Sequence, residues 1–205
     1  IDDSAMQLGG TSLTLEALTE PFKDECEFIT TSELTKTHPQ FKHPKVWIIG
    51  NTMALNKESY EAIVEIIQQR TTIKLDFDYG FCRFRSPTAH RILGKRECDC
   101  LVNPETATLK NLYCYIRDNS SIVFYMSEMQ RQIHQQAIGI KNEQSIVLSS
   151  CFTQDSFKKM KEYRSRPKSE KYAIIDGHQG WHSEAKGVKK SINYAVTKNL
   201  DYDLF

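Results

Sequence analysis

Residues 46–80 read VWIIGNTMALNKESYEAIVEIIQQRTTIKLDFDYG, and the order of patterns within them identifies the architecture. Val46, Trp47, Ile48 and Ile49 form a short apolar run of buried-strand type, closed by Gly50-Asn51. Asn56 is placed to cap a helix whose apolar face is Tyr60, Ile63, Val64 and Ile67. That is the i, i+3, i+4, i+7 spacing of a helix lying on a sheet. Residues 71–77 then read as the next strand. Strand, helix and strand in this order predict a mostly parallel sheet covered by helices.

The same rhythm continues outward. Residues 109–116 read as helix and 122–126 as a fully apolar strand in which Tyr125 and Met126 are core. Ser127 with Gln130 three positions on gives a capping-box helix start. Residues 146–148 are a strand and 154–163 a helix. RSRPKSEK, residues 164–171, is charged, proline-bearing and aperiodic, hence a linker. A fresh strand follows at 172–175, then a Gly/His/Trp loop, a helix over 187–197 and the start of a strand at 200–205. The fold class is therefore α/β: a Rossmann-like, mostly parallel sheet with flanking helices over residues 1–164. A linker and an incomplete second α/β unit occupy 165–205. The chain opens without methionine and stops inside a partly apolar run, so both ends read as cut.

Composition narrows the function classes. The 205 residues are 40% apolar and 26% charged, with a net charge of +1, so nothing demands a nucleic acid or an anionic membrane as partner. No run reaches the ~18 apolar residues of a membrane span and no signal-peptide pattern opens the chain, which points to a cytoplasmic setting. The six cysteines sit in an α/β pattern of cytosolic type, so reduced thiols or a metal are expected rather than a disulfide framework.

Chemistry concentrates in residues 75–100, LDFDYGFCRFRSPTAHRILGKRECDC, where strand 71–77 empties into a loop. Polar groups just past the carboxyl end of a strand are where α/β proteins bind ligands. Asp78 could orient or deprotonate an acceptor hydroxyl, and Tyr79, Arg83 and Arg85 could hold phosphate or carboxylate groups. A salt-bridge network that merely stabilises the loop accounts for the same residues. Cys82, His90, Cys98 and Cys100 make a Cys-x7-His-x7-Cys-x-Cys array that could hold a structural zinc and pin a long loop. Separate thiols and an unrelated histidine are the plainer account.

Two glycine-bearing turns precede helices. Gly9-Gly10-Thr11 leads into the helical run at 13–18, where free N–H groups could meet a phosphate. Lys186-Gly187 stands before the helix of the second unit, where Lys186 could meet a diphosphate as a point charge. His38, His43 and His134 read as structural or solvated. His178 and His182, on either side of Trp181, have no metal spacing.

Taken together, DDSAMQLGGTSLTLEAL, VWIIGN, LDFDYGFCRFRSPTAH with ECDC, FYMSEMQ, VLSSCF and WHSEAKGVKKSINYA resemble the GT-B glycosyltransferases, sugar-nucleotide-dependent enzymes built from two Rossmann-like domains. The likeness is to a branch common in phage and environmental sequences. The resemblance implies that Gly9, Gly10 and Thr11 form the glycine loop facing the donor diphosphate. It implies that Asp78 is the strand-end acidic residue on the acceptor side, and that Lys186 and Gly187 open the donor site of the carboxyl domain. It also implies transfer of a sugar from a nucleotide-sugar donor to an acceptor hydroxyl with no metal needed, so that any zinc is structural. No basic residue precedes Lys186 in its loop, and the family's later acidic motif would lie past Phe205. The chain alone is therefore expected to be nearly inactive. The rival expectation is a non-enzymatic, zinc-stabilised α/β binding module.

Overall fold

The computed structural model describes residues 1–2, 10–140, 143–167, 171–174 and 187–204. Helix α1 (Gly10–Thr19) is followed by strand β1 (Val46–Ile49), α2 (Lys57–Gln69), β2 (Thr71–Asp76), α3 (Pro87–Gly94) and α4 (Ala107–Asn119). Then come β3 (Ile122–Tyr125), α5 (Glu128–Ile138), β4 (Ser145–Val147) and α6 (Gln154–Ser165). The four strands form one parallel sheet in the order β1-β2-β3-β4. This is an α/β, Rossmann-like architecture with helices flanking the sheet.

Helices α2, α3, α5 and α6 start where a side chain satisfies an otherwise orphaned backbone N–H. Asn56 accepts from Ser59 N, Ser86 from Ala89 N, Ser127 from Gln130 N and Thr153 from Ser156 N. The buried stripe of α2 is Ser59, Ala62, Ile63, Ile66 and Ile67. Tyr60, expected on that face, is 39% exposed, because the stripe lies along the 59/63/66/67 side and leaves Tyr60 facing water. Strand β3 ends at Tyr125, so Met126 is the turn rather than core; its N–H donates to Gln130 Oε1 at 2.7 Å. Residues 87–94, expected as loop, form α3, with Ser86 as N-cap and Pro87 in the first turn. Helix α6 runs through Ser165, so the expected linker begins two residues later than its composition suggested.

One main core lies on the face of the sheet that carries Trp47 and Ile49, packed by Ala62, Ile63, Ile66 and Ile67 of α2 and Leu112 and Ile116 of α4. Register fixes what else points there. Trp47 pairs with Thr72, Ile49 with Lys74 and Asp76 with Tyr125, so Lys74 and Asp76 of β2 enter the helix-covered face. A strand of this kind, buried on both sides, normally reads as apolar. β2 instead brings an opposite-charge pair inward.

The edge beyond β1 sets the topology. Ile1 N donates to Ile48 O at 2.7 Å and Gly50 N to Ile1 O at 2.8 Å, a parallel pairing of Ile1-Asp2 with β1. Asp2 in turn bridges Thr30 in parallel. The spatial order is thus residue 30, residues 1–2, β1, β2, β3, β4. The chain leaves residues 1–2 in one direction and returns to build β1 to β4 in the other. The order reverses between residues 1–2 and β1, the place where doubly wound sheets open a crevice at their carboxyl edge.

A separate two-stranded parallel sheet pairs β5 (Tyr172–Ile174) with β6 (Tyr202–Leu204), joined through α7 (Val188–Thr197). Ile174, Val188 and Ala195 form its own small core. Among the described residues no helix is long and apolar enough to cross a membrane.

Candidate metal centre and the charged edge of the sheet

Past Asp76, β2 gives way to a tight turn. Cys82 N donates to Tyr79 O at 2.8 Å, Arg85 N to Cys82 O at 2.7 Å and Tyr79 N to Arg85 O at 3.1 Å. The ring of bonds closes residues 79–85 on themselves and leaves Arg85 at φ 59, in the left-handed region. Gly80 passes so close to Tyr113 that an added Cβ would sit 2.4 Å from the ring carbon Cδ2. Tyr113 is 2% exposed and its hydroxyl donates to Asp76 Oδ2, so it cannot swing aside. Gly80→Ala is expected to lower stability by about 1–3 kcal/mol in urea unfolding. A neutral result would mean that the turn yields easily.

The turn delivers Cys82 to a second segment. α3 presents His90, fully buried, and the chain then turns back at Lys95, φ 52, to bring Cys98 and Cys100 alongside. Gly94 permits this return, since a Cβ there would stand 2.9 Å from His90 Cδ2. Cys98 Sγ lies 3.6 Å and Cys100 Sγ 4.0 Å from Cys82 Sγ. His90 Nδ1 lies 3.7 Å from Cys82 Sγ and 3.4 Å from Cys100 Sγ. All four ligand atoms fall within 4.8 Å of one another, so the four residues form a group able to hold a metal ion. The cysteines are free thiols.

The surroundings favour ligand-competent chemistry at the histidine and resist ionisation at Cys82 and Cys98. Burial lowers the His90 pKa, helped by Arg83 and opposed by Asp99, so the ring is held neutral. Burial pushes the Cys82 thiol up to about 12 and also raises Cys98. A cation that binds here must displace thiol protons. The other ring nitrogen, His90 Nε2, lies 3.5 Å from Asp99 Oδ1, and Arg96 NH2 lies 3.2 Å from Asp99 Oδ2. Arg83 N donates to Cys100 Sγ at 3.4 Å. Asp99 is a residue the sequence reading passed over. Its place between two candidate ligands, Cys98 and Cys100, was the available signal.

A second polar group lies at the same carboxyl edge. Arg85 Nε donates to Asp78 Oδ2 at 2.7 Å, and its NH2 also meets that oxygen. The orientation of the Asn51 amide that satisfies both neighbours puts its nitrogen 3.3 Å from Asp78 Oδ2 and its oxygen 2.6 Å from Arg85 NH2. Asp78 is therefore clamped through one oxygen by groups from two loops. Its Oδ1 has no hydrogen-bond partner among the described residues, and its side chain is 32% exposed. Asn51 follows β1 at the point where the sheet order reverses, and its N–H donates to Asp2 Oδ2 at 2.6 Å.

Beneath this edge sits a buried charge network. Lys74 Nζ reaches Gly50 O at 2.6 Å, Leu75 O at 3.0 Å and Asp76 Oδ1 at 3.0 Å, one acceptor for each ammonium proton. Asp76 Oδ2 accepts from Tyr113 and lies 4.0 Å from His134 Nε2. His134 Nδ1 is 2.9 Å from Gln130 O, and burial lowers its pKa against the pull of Asp76. Gln130 Nε2 donates to Asp76 O at 2.9 Å and Asp78 O at 3.1 Å, tying α5 to the end of β2. Lys74 escaped the sequence reading. The signal was its place in the alternation Thr72, Lys74, Asp76 on one strand face.

The remaining residues singled out from the sequence separate. Tyr79 stacks on His134 with ring centroids 5.1 Å apart, and burial raises its hydroxyl pKa. The Arg83 guanidinium is exposed and lies 5.4 Å from the Phe84 ring centre. Neither joins the Asn51–Asp78–Arg85 contacts. Gly10 opens α1, Thr11 follows in its first turn, and Gly187 caps α7 at φ 80. Gly9, His178, Trp181, His182 and Lys186 lie outside the described residues.

The chain matches no known protein family, no curated protein and no solved structure.

Proposed function

We propose that this chain is the acceptor-side portion of a sugar-nucleotide-dependent glycosyltransferase of GT-B type, with Asp78 orienting the acceptor hydroxyl. The observation that carries the reading is the clamped carboxylate. Asp78 is fixed through Oδ2 by Arg85 and Asn51 while its side chain stays partly exposed, beside the point where the sheet order reverses. A carboxylate so held can accept the proton of a bound hydroxyl without spending freedom to find it. Lys186 and the N–H groups that open α1 and α7 are the parts that would stabilise a departing diphosphate. The partners are a nucleotide-sugar donor and an acceptor whose identity the residues leave open. A cytoplasmic setting goes with this reading.

The four-residue group is read as a structural zinc site. Around tetrahedral zinc, with bonds of about 2.3 Å to sulfur and 2.0–2.1 Å to nitrogen, S···S edges are about 3.8 Å and S···N edges about 3.6 Å. Four of the six edges here are 3.6 and 4.0 Å between sulfurs and 3.4 and 3.7 Å from sulfur to His90 Nδ1, and all six lie within 4.8 Å. Three thiolates and an imidazole close the coordination sphere, so the ion would supply cross-linking of a long loop and no step of the transfer.

Calorimetry with nucleoside diphosphates tests the enzymatic reading. Lys186→Ala is expected to weaken diphosphate binding by at least about tenfold, the worth of one charge-assisted contact. Asp78→Asn should leave that binding unchanged while lowering any sugar transfer about 10²-fold or more. Zinc binding with no diphosphate affinity at millimolar concentration would instead favour the non-enzymatic, zinc-stabilised binding module.

A further inference from the structure

We propose that metal capture at Cys82, His90, Cys98 and Cys100 is what sets the Asn51–Asp78–Arg85 contacts, making the charged edge of the sheet metal-dependent. The inference rests on the reading of those four residues as a zinc site, and it adds a coupling between that site and the edge.

The path of coupling is short and covalent. Cys82 is at once a candidate ligand and the middle of the turn that aims Arg85. Its N–H donates to Tyr79 O and its carbonyl accepts from Arg85 N, both at 2.8 Å or less. Fixing Cys82 Sγ therefore fixes both bonds that define the turn. Arg85 needs such support, because φ 59 is a conformation that a non-glycine residue keeps only where its surroundings over-determine it. Thiols are weak donors and acceptors, so four unbridged ligand groups at 3.4–4.0 Å hold one another loosely. An ion at their centre replaces those weak contacts with four bonds.

The site is built beyond its first ring of ligands. His90 Nδ1 faces the sulfurs, and Nε2 lies 3.5 Å from Asp99 Oδ1; both atoms are buried and make no hydrogen bond as they stand, and a small shift of the ring on metal capture would close the carboxylate contact that fixes the tautomer of a metal-bound histidine. Asp99 is itself held by Arg96 at 3.2 Å and by Asn103 Nδ2 at 3.1 Å. Cys100 accepts the Arg83 N–H, as thiolate ligands commonly do. Asp99 is thus a positioning residue for the ion, acting through His90.

Metal-free protein prepared under reducing conditions is titrated first with cobalt(II), whose thiolate charge-transfer and tetrahedral ligand-field bands report the donor set, and then with zinc. Amide hydrogen exchange is followed at Tyr79, Cys82 and Arg85, with Ile49 and Val123 as sheet controls. One cobalt per chain with a tetrahedral thiolate spectrum is expected, and zinc should slow exchange at the three turn amides by at least about tenfold with little change in the controls. Asp99→Asn keeps all four ligands. It should weaken zinc about 10–100-fold, with turn protection restored at saturating zinc. Absence of a tetrahedral cobalt spectrum sinks the metal reading and the coupling together. A tetrahedral site whose filling leaves turn exchange unchanged, or slows the sheet controls equally, sinks the coupling alone. Unaltered zinc affinity in Asp99→Asn removes Asp99 from the assignment.

Discussion

Lys74→Met is expected to lower the unfolding free energy by about 3–5 kcal/mol, among the largest effects available to one substitution in this chain. Lys74 and Asp76 are 2% and 1% exposed, and their ion pair lies on the helix-covered face of the central strand. Methionine nearly matches the lysine stem in volume, so packing changes little. What remains, among the described residues, is a buried carboxylate beside the Tyr113 hydroxyl and the neutral His134, together with Gly50 O stripped of its donor. The physics of such pairs is asymmetric: removing one partner strands the other, whereas removing both charges is far less harmful. Lys74→Met combined with Asp76→Asn, which still accepts from Tyr113, should therefore recover a large part of the loss. Equilibrium urea unfolding of the two single variants and the double variant measures the coupling directly. A loss under about 1 kcal/mol in Lys74→Met would mean that the pair is not the buried, satisfied contact described above.

Cys100→Ser is expected to abolish stoichiometric zinc binding and to lower the thermal midpoint by roughly 10 °C in zinc-containing buffer. A ligand bound only by the folded state adds about 4 kcal/mol of stability at a thousand times its dissociation constant, and that contribution disappears with the site. Cys100 suits the test because it is fully buried and its Sγ lies close to both His90 Nδ1 and Cys82 Sγ. Serine nearly preserves the volume but is a poor zinc ligand beside two thiolates. Treating the unaltered chain with chelator under reducing conditions should give a comparable drop, reversed by zinc. Equal midpoints for the variant and the parent chain, with and without chelator, would remove the ion from any account of stability. Because bound ion displaces thiol protons, acidification should release it; the raised thiol pKa of Cys82 sets the direction of that competition.

The strand and helix patterns were legible because each is local. Alternating and 3.6-residue periodicities mark β1, α2, β2, β3 and α6 within a residue or two of their ends, α4 runs three residues past its expected end, and the caps at Asn56 and Ser127 stand where the side chains accept backbone N–H groups. Helix α3 starts at the Ser86-Pro87 signal, but its eight residues are flanked by cysteines and charges whose composition is that of a loop. Gln130 shows a different limit. Ser127 caps its N–H as a capping box predicts, but its side chain serves Met126 N and the carbonyls of Asp76 and Asp78 instead of closing the box.

The alternation of elements, the near-neutral charge and the identities of the four candidate ligands are legible along the chain, since periodicity, composition and residue type are local properties. That those ligands meet within 4.8 Å, that Asn51 reaches Asp78, and that Lys74 lies buried against Asp76 follows from the folded arrangement alone. Spacing along a chain limits how far two side chains can be apart, but the turns at Arg85 and Lys95 and the register of β1 on β2 decide which of them touch.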